Sequence, residues 1–342
     1  MMTLSLAEIW YGVLCLAAIA YVVLDGFDLG VGMLHLFTRK DQERRLMLNA
    51  IGPVWDGNEV WLIIVGGALL AGFPPAYATL CSAFYTPLMI FLAGIIFRAV
   101  AIEFRSKLPS SRWRSLWDVI FSLGSFTITL VLGVLLGNLI KGIPLDQEGD
   151  FFGSFWSFFT PYTLLMGLMA VALCMMHGSI YLNMKIEGEF HKTTRKWSNR
   201  TMIFFVITYI TATFTTLIAM PHMLDIMKQI PYLYFLGVIA MLSIANIPRM
   251  LSKGNDGWAF TSSCFSIALL FLLFGVGMYP VIIRSSVETD LYSITLYNSA
   301  SSDLTLKVLL TIAGIGLPLV IAYGFWIYRI FKGKVKLDKW SY

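Results

Sequence analysis

The sequence predicts an all-α integral membrane protein with nine transmembrane helices. Three observations lead to this class. Hydrophobic residues make up 58% of the 342 residues and charged residues only 13%, apolar stretches of membrane-spanning length recur along the chain, and basic residues collect in alternate connections. A soluble chain of this length could not bury so much apolar surface, whereas lipid can surround it. We therefore expect one polytopic membrane domain over residues 1–342.

Nine apolar stretches approach the roughly 20 residues that a helix needs to cross a bilayer. They lie at about 5–27, 51–72, 77–100, 117–140, 161–184, 202–220, 231–248, 258–280 and 306–331. The succession of four spans, four further spans and one last span suggests two four-helix bundles and a peripheral helix. The bundles would cover about 1–140 and 155–280, and the extra helix about 306–331.

The distribution of lysine and arginine predicts the orientation in the membrane. Counted by connection, 21 of the 25 basic residues fall on one side of the predicted bilayer, including Lys339 in the C-terminal tail. The other side has Lys141, Lys228, Arg284 and Lys307. Because basic loops stay in the cytoplasm, the N-terminus is expected outside and the C-terminus inside.

The remaining composition excludes several classes of protein. The net charge of +5 is explained by basic loops, so it gives no reason to expect nucleic acid. Four cysteines lie in apolar stretches without metal-ligand spacing, which favours buried packing over zinc or disulfides. The N-terminus has no basic n-region or small-residue cleavage site, so the first span is expected to be retained.

Two clusters of acidic residues lie within the first two apolar spans. Asp25 and Asp28 are three residues apart, as are Asp56 and Glu59, so each pair lies on one helix face. A charge in the membrane costs about 2.5–3.5 kcal/mol on insertion scales, which makes such residues candidates for function. Since burial favours the protonated form of a carboxyl group, a row of carboxylates from the cytoplasmic side suits proton conduction.

Each of these residues also has a structural interpretation. A carboxylate can cap a broken helix near Gly26, Gly52 or Gly57, or can bond a facing helix. Trp61, like Trp55, can serve as an anchor at the membrane interface. The sequence alone leaves these alternatives open, more so for Asp28 and Glu59 than for Asp25 and Asp56.

Histidine is too scarce to predict a haem site. Of four histidines, only His177 lies deep in a span, and haem iron held between two helices usually needs two axial ligands. Ligation with a methionine partner is the alternative, but a histidine that packs against or bonds a neighbouring helix is favoured. Arg98 and Glu103, near the end of the third span, are interpreted as a solvated interface pair.

Several motifs resemble subunit II of the cytochrome bd-type quinol oxidases. The resemblance covers essentially the whole chain, and the segment DGNEVW at 56–61 is its most specific part. The other motifs are DGFDLG at 25–30, GFPPAY at 72–77, FRAVAIEFR at 97–105 and YNSASS at 297–302.

The resemblance implies a respiratory complex of the bacterial cytoplasmic membrane that oxidises membrane quinol, reduces oxygen to water and contributes to the proton-motive force. In this family subunit I carries two b-type haems and one haem d, and subunit II binds none. A small single-helix subunit is a further expected partner. Carried over by motif, Asp25 and Asp56 resemble members of a cytoplasmic proton pathway, with Asp28 and Glu59 as less certain members. Trp61 resembles a tryptophan that lines an oxygen route.

Two other functions are compatible with the residues themselves. Buried carboxylates and glycine-interrupted helices also occur in proton-coupled secondary transporters and proton channels. A purely structural scaffold without a conduction role is the third possibility. Purification distinguishes the oxidase subunit from a transporter or channel. An oxidase subunit co-purifies with a coloured, haem-bearing partner, whereas a transporter or channel is expected to be colourless and alone.

Overall fold

The computed structural model describes residues 4–337, so Lys339 of the basic tail lies outside the described residues. The described chain is almost entirely helical. The helices are α1 (Leu6–Leu34), α2 (Asp41–Ile51), α3 (Trp55–Gly72), α4 (Pro74–Ala83), α5 (Tyr85–Phe104), α6 (Ser111–Lys141), α7 (Pro161–Lys185), α8 (Glu189–Ala219), α9 (Asp225–Gln229), α10 (Tyr234–Ser252), α11 (Asp256–Met278), α12 (Thr289–Tyr292) and α13 (Asp303–Ile330). The two short strands are β1 (Val281–Ile283) and β2 (Ile294–Thr295), which pair antiparallel.

The number of long apolar helices agrees with the predicted membrane class. Of the described helices, eight are long and apolar enough to cross a membrane. The pair α2 and α3, which meet at a bend of 50°, forms a ninth when counted as one span. The bend falls at Gly52–Val54, where Pro53 has no backbone N–H to continue a helix.

The boundaries of the first three spans differ from the predicted ones. Helix α1 continues to Leu34, so the segment 25–30 lies well inside it. The predicted third span at 77–100 is replaced by the short α4 and the separate α5 (Tyr85–Phe104). Pro87 explains this break, because it lacks the N–H that would bond the carbonyl of Ala83 in one continuous helix.

Helix α1 is central and packs against α3, α6, α7 and α11. Its crossing with α7 depends on two glycines. A Cβ on Gly30 would lie 1.9 Å from the carbonyl oxygen of Cys174, and one on Gly178 would lie 2.6 Å from the carbonyl carbon of Gly30. Small residues allow this close approach of two membrane helices. The glycine that ends the motif at 25–30 therefore fixes how α1 sits on α7.

The basic connections meet at one end of the helices, which we call the basic end. Arg105 after α5 pairs with Asp41 of α2. Arg195 of α8 pairs with Asp256 of α11. Lys334, after α13, donates to the carbonyl of Asn183 in α7. These contacts join loops that are distant in sequence into one polar surface.

Two motifs meet at the opposite end of the helices. Ser301 donates from its backbone N–H to the carbonyl of Gly72 at 2.9 Å and from its hydroxyl to that of Ala71 at 2.6 Å. A Cβ on Gly72 would lie 1.8 Å from Nε1 of Trp10. The segments 72–77 and 297–302 are thus a structural unit that ties the end of α3 to the start of α13.

Helix α13 is the least buried of the long helices. Leu306 is its one fully buried residue, and its main contacts are with α1 and α3. Many of its other apolar side chains are exposed on this chain, including Leu304, Ile312, Leu319 and Trp326.

Candidate functional site

A buried ion pair joins α1 to α5. Arg98 donates from Nη2 to Oδ1 of Asp25 at 2.5 Å and from Nη1 to Oδ2 at 2.9 Å. Both side chains are about 1% exposed. Two parallel bonds between a guanidinium and a carboxylate give a strong and directional contact. Asp25 is therefore neutralised inside the helix bundle.

This position of Arg98 corrects the sequence-based interpretation. Arg98 does not form a solvated pair with Glu103, since it is buried while Glu103 is exposed. Arg98 lies six residues before α5 ends at Phe104, about 9 Å along the axis. It faces α1 and α6, where Gly124 leaves room for the α5 backbone. The predicted end of the third span at about residue 100 put Arg98 at the interface, so neither its depth nor the face of α5 that it occupies was predicted.

A second carboxylate approaches the same guanidinium from α3. Oε2 of Glu59 lies 3.7 Å from Nη2 of Arg98, and the Glu59 side chain is 17% exposed. Glu59 and Asp25 therefore share one positive charge. An acidic residue of α1 and one of α3 thus meet at the same guanidinium.

Asp28 is held by a separate chain of hydrogen bonds. Tyr328 of α13 donates its hydroxyl proton to Oδ1 of Asn58 at 2.8 Å, and Nδ2 of Asn58 donates to Oδ2 of Asp28 at 2.7 Å. Asp28 is fully buried, and its Oδ1 has no hydrogen-bond partner among the described residues. One carboxyl oxygen is thus fixed and the other is left open. We call Asp25, Asp28, Glu59 and Arg98 together the carboxylate cluster.

Asp56 lies apart from the carboxylate cluster. It occupies the first turn of α3 at the basic end and is exposed on this chain, whereas Glu59 one turn later is half-buried. The structure therefore brings together Asp25, Asp28 and Glu59, and leaves Asp56 at the surface beside them.

Trp61 is buried between α3 and α1. Its side chain is 6% exposed and packs against Ala17 and Tyr21. One edge lines an apolar groove of about 570 Å³ that also includes Val320 and Phe325 of α13. Because the indole lies between helices, its position does not favour the alternative of an anchor at the membrane interface.

His177 bonds two neighbouring helices. Nδ1 lies 2.7 Å from Oγ of Ser263 in α11, and Nε2 lies 3.0 Å from the carbonyl oxygen of Val23 in α1. The ring also stacks on Phe260 at 4.9 Å between centroids. With both nitrogens engaged, the geometry matches the favoured interpretation of a histidine that bonds a neighbouring helix.

A second buried carboxylate, which the sequence analysis missed, lies at the basic end. Oδ1 of Asp118 accepts from Nε of Arg105 at 2.5 Å and lies 2.6 Å from Nε2 of His35, while Oδ2 accepts from Arg44 at 2.7 Å. Asp118 is 1% exposed. Asp118 is an acidic residue early in the fourth apolar span, and that position could have identified it as a candidate buried charge. We call Asp118, His35, Arg44 and Arg105 the Asp118 network.

Asn58 and Tyr328 were also not predicted as site residues. Asn58 lies in the segment 56–61, but a neutral side chain in an apolar span does not stand out as an ionisable one does. Tyr328 reaches the site only because the C-terminal end of α13 packs beside α3.

Fold and site together define a multi-pass helical membrane protein whose interior holds ionisable residues close to its basic surface. The family model described as cytochrome bd terminal oxidase subunit II matches residues 6–331. The chain belongs to this family. It is thus a multi-pass subunit of a quinol oxidase, an oxidoreductase of the bacterial cytoplasmic membrane.

Individual relatives agree with this assignment. Cytochrome bd-I ubiquinol oxidase subunit 2 of Escherichia coli (strain K12) is 33% identical, over 96% of this chain and 94% of the relative. Cytochrome bd ubiquinol oxidase subunit 2 of Bacillus subtilis (strain 168) is 32% identical over 97% of each chain. A chain of the solved bd oxidase from Geobacillus thermodenitrificans is 18% identical and superposes with a TM-score of 0.79. The superposition covers 96% of this chain and 99% of that one, and it shows a shared fold.

Proposed function

We propose that this chain supports assembly of the oxidase and supplies protons from the cytoplasm, while its partner, subunit I, carries the redox groups. The proposed complex oxidises membrane quinol and reduces oxygen to water. It would contain two b-type haems and one haem d in subunit I, with a small single-helix subunit as a further partner. The observation that carries the proposal is the charge imbalance of the carboxylate cluster.

The carboxylate cluster has more acidic groups than its one guanidinium can neutralise. Arg98 contacts Asp25 and approaches Glu59, and Asp28 lies buried one helical turn from Asp25. Full ionisation would leave two uncompensated negative charges between apolar helices. Such burial is costly, and a carboxyl group avoids it by holding a proton. The open Oδ1 of Asp28 has room for that proton.

Exposure falls in steps from the basic surface to this cluster. Asp56 is exposed, Glu59 is 17% exposed and Asp25 is buried. Asp25 lies nine residues before the end of α1, roughly 14 Å along the helix axis. We infer that Asp56 collects protons at the surface, and that Glu59, Asp25 and Asp28 transfer them inwards.

The proposed direction depends on the orientation and on the arrangement of the helices. We infer that the basic end is cytoplasmic, because the connections that hold most of the lysines and arginines lie there. This places the N-terminus outside and the C-terminus inside. We propose one membrane domain with a first bundle of α1, α3, α5 and α6 and a second of α7, α8, α10 and α11. Helix α13 would lie at the periphery, in contact mainly with α1 and α3.

The histidines support the assignment of haem to subunit I. His177 uses both ring nitrogens, and His35 bonds Asp118. His191 contacts Asp256, and His222 contacts the carbonyl of Ile140. Because each of the four contacts a different part of the chain, the residues do not fit a haem with two histidine ligands. Trp61, beside its apolar groove, is proposed to line a route for oxygen.

The test is quinol-driven oxygen uptake, normalised to haem, for Asp25→Asn, Asp56→Asn and the double variant. We expect slower uptake at neutral pH with unchanged haem content, because an amide keeps the shape but cannot exchange a proton. In Asp25→Asn, the Glu59 carboxylate at 3.7 Å still balances the charge of Arg98. If both residues serve one path, the double variant loses little more than the worse single variant, since coupled steps are not additive. Glu187→Gln, an exposed change at the basic end, is the matched control. Wild-type rates in both single variants would refute the proton path.

The same preparations separate the alternatives. A scaffold role predicts that uptake and haem content fall together in the variants. A transporter or channel predicts a colourless chain that purifies alone. The chain expressed without its partner should give no pyridine haemochrome signal, and stoichiometric haem in it would contradict the assignment to subunit I.

A further inference from the structure

A polar cavity of about 380 Å³ lies at the basic end, between the last turn of α7, the bend before α3 and the segment that follows α13. Its wall includes the four lysines Lys185, Lys332, Lys334 and Lys336, and among residues 4–337 none of the lining residues is acidic. It is separate from the carboxylate cluster. An open space lined by positive charge alone is suited to an anion.

Lys185 is the central group of this cavity. Its side chain is only 8% exposed, and Nζ donates to the carbonyl oxygen of Phe331 at 2.6 Å and lies 5.7 Å from the ring of Tyr181. Within residues 4–337 no carboxylate forms an ion pair with it. A buried ammonium ion with only a carbonyl and a ring as partners keeps most of its charge uncompensated.

The segment after α13 is fastened across the end of α7. Nζ of Lys334 donates to the carbonyl oxygens of Asn183 at 3.0 Å and Ile186 at 2.9 Å, and the N–H of Val335 donates to that of Lys185 at 2.9 Å. These bonds hold Lys332 and Lys336, both exposed, at the mouth of the cavity. The segment that carries these lysines is thus fixed to the end of α7 by hydrogen bonds.

Another part of the wall is apolar and lies level with the ends of the membrane helices. Pro53, Val54 and Ile330 line it, and α13 ends at Ile330. An apolar wall at this depth gives a small hydrated anion no favourable contact. A glycerophospholipid can contact both parts of the wall. Its phosphate reaches the lysines while its acyl chains lie along the apolar part and enter the bilayer.

We propose that this cavity binds the headgroup phosphate of an anionic phospholipid. The assignment to the cytoplasmic leaflet depends on the orientation proposed above, whereas the binding site does not. The bound lipid would touch Tyr328, which also lines the cavity and whose hydroxyl holds Asn58 in the carboxylate cluster.

The test uses the purified, delipidated complex and native mass spectrometry. The complex is titrated with phosphatidylglycerol, with phosphatidylcholine of the same acyl chains, and with phosphatidylglycerol in the presence of inorganic phosphate or chloride at equal ionic strength. The variant is Lys332→Gln/Lys336→Gln, which removes two charges from the mouth. The matched control is Lys196→Gln/Lys253→Gln, two exposed lysines of the basic end that do not line the cavity.

We expect phosphatidylglycerol to bind more tightly than phosphatidylcholine and the cavity variant to weaken it about 25-fold, because each lysine near an anionic lipid contributes about five-fold. The control pair should retain wild-type affinity. Lys185→Gln, which keeps a donor for Phe331, should weaken binding with the complex still assembled. Equal binding of the two lipids, equal loss in the control pair, or displacement by phosphate but not chloride would each overturn the proposal.

Discussion

The carboxylate cluster and the Asp118 network are two buried groups of charges with opposite balance. In the Asp118 network, one carboxylate receives Arg44, Arg105 and His35, and both of its oxygens are bonded. In the carboxylate cluster, three carboxyl groups share Arg98, and Oδ1 of Asp28 has no partner among residues 4–337.

This difference separates a structural charge from a functional one. A carboxylate that receives two arginines and a histidine, as Asp118 does, is fixed in the ionised state and holds helices together. A carboxyl group with an open oxygen and too few cations can gain and lose a proton at little structural cost. Burial alone does not distinguish the two, because Asp118 and Asp28 are equally hidden.

The substitution Asp118→Asn is expected to have the largest effect, a loss of stability. The amide leaves Arg44 and Arg105 without their buried counter-charge, and breaking a buried pair in this way costs about 3–5 kcal/mol. We expect a low yield of assembled complex and a lower midpoint of thermal unfolding. Oxygen uptake per haem in the surviving complex should stay near wild type. A normal midpoint would mean that the network is not structural.

The substitution Asp28→Asn is expected to have the second-largest effect, a loss of activity. The amide can keep the contact with Asn58, so assembly and thermal stability should remain near wild type. Uptake per haem should fall about 100-fold if Asp28 transfers protons, the low end of what a positioned proton-transfer group contributes. Unchanged uptake together with a loss of stability would mean that Asp28 has a structural role, as proposed for Asp118, and not a role in proton transfer.

A smaller effect is expected for Tyr328→Phe. The change removes one hydrogen bond to Asn58, worth about 1 kcal/mol, and leaves the packing of the ring. We expect a moderate decrease in uptake, less than that of Asp28→Asn, with normal haem content. Tyr232→Phe, an exposed tyrosine at the opposite end, is the control. A decrease as large as that of Asp28→Asn would make Tyr328 a direct member of the proton path.

The smallest effect is expected for Lys192→Ala. Lys192 pairs with Glu189 at 2.8 Å, but both side chains are exposed, and such surface pairs contribute little to stability. Neither thermal unfolding nor uptake should change measurably. A clear loss would show that charges at the basic end contribute beyond the two buried groups.

Much of the site could be anticipated from its residues. Asp25, Asp28 and Glu59 are acidic residues in apolar spans, and the three-residue spacing put each pair on one helix face. The partner of Asp25 could not be found in this way. Arg98 is adjacent to a run of charged residues, so its position along the chain suggested the interface. Likewise, nothing in a neutral asparagine or in a tyrosine 270 residues away indicates the contact between Asn58 and Tyr328.

The sequence by itself determined which segments are apolar enough to cross a membrane, which connections are basic and which motifs connect the chain to its family. These properties depend on composition along the chain. The tertiary structure decided which charges meet. Helices that are apolar on nearly every face give no periodic signal for their rotation, and packing sets it instead. The approach of α1 to α7 at Gly30 and Gly178 turns Asp25 towards Arg98, and the rotation of α3 leaves Asp56 at the surface.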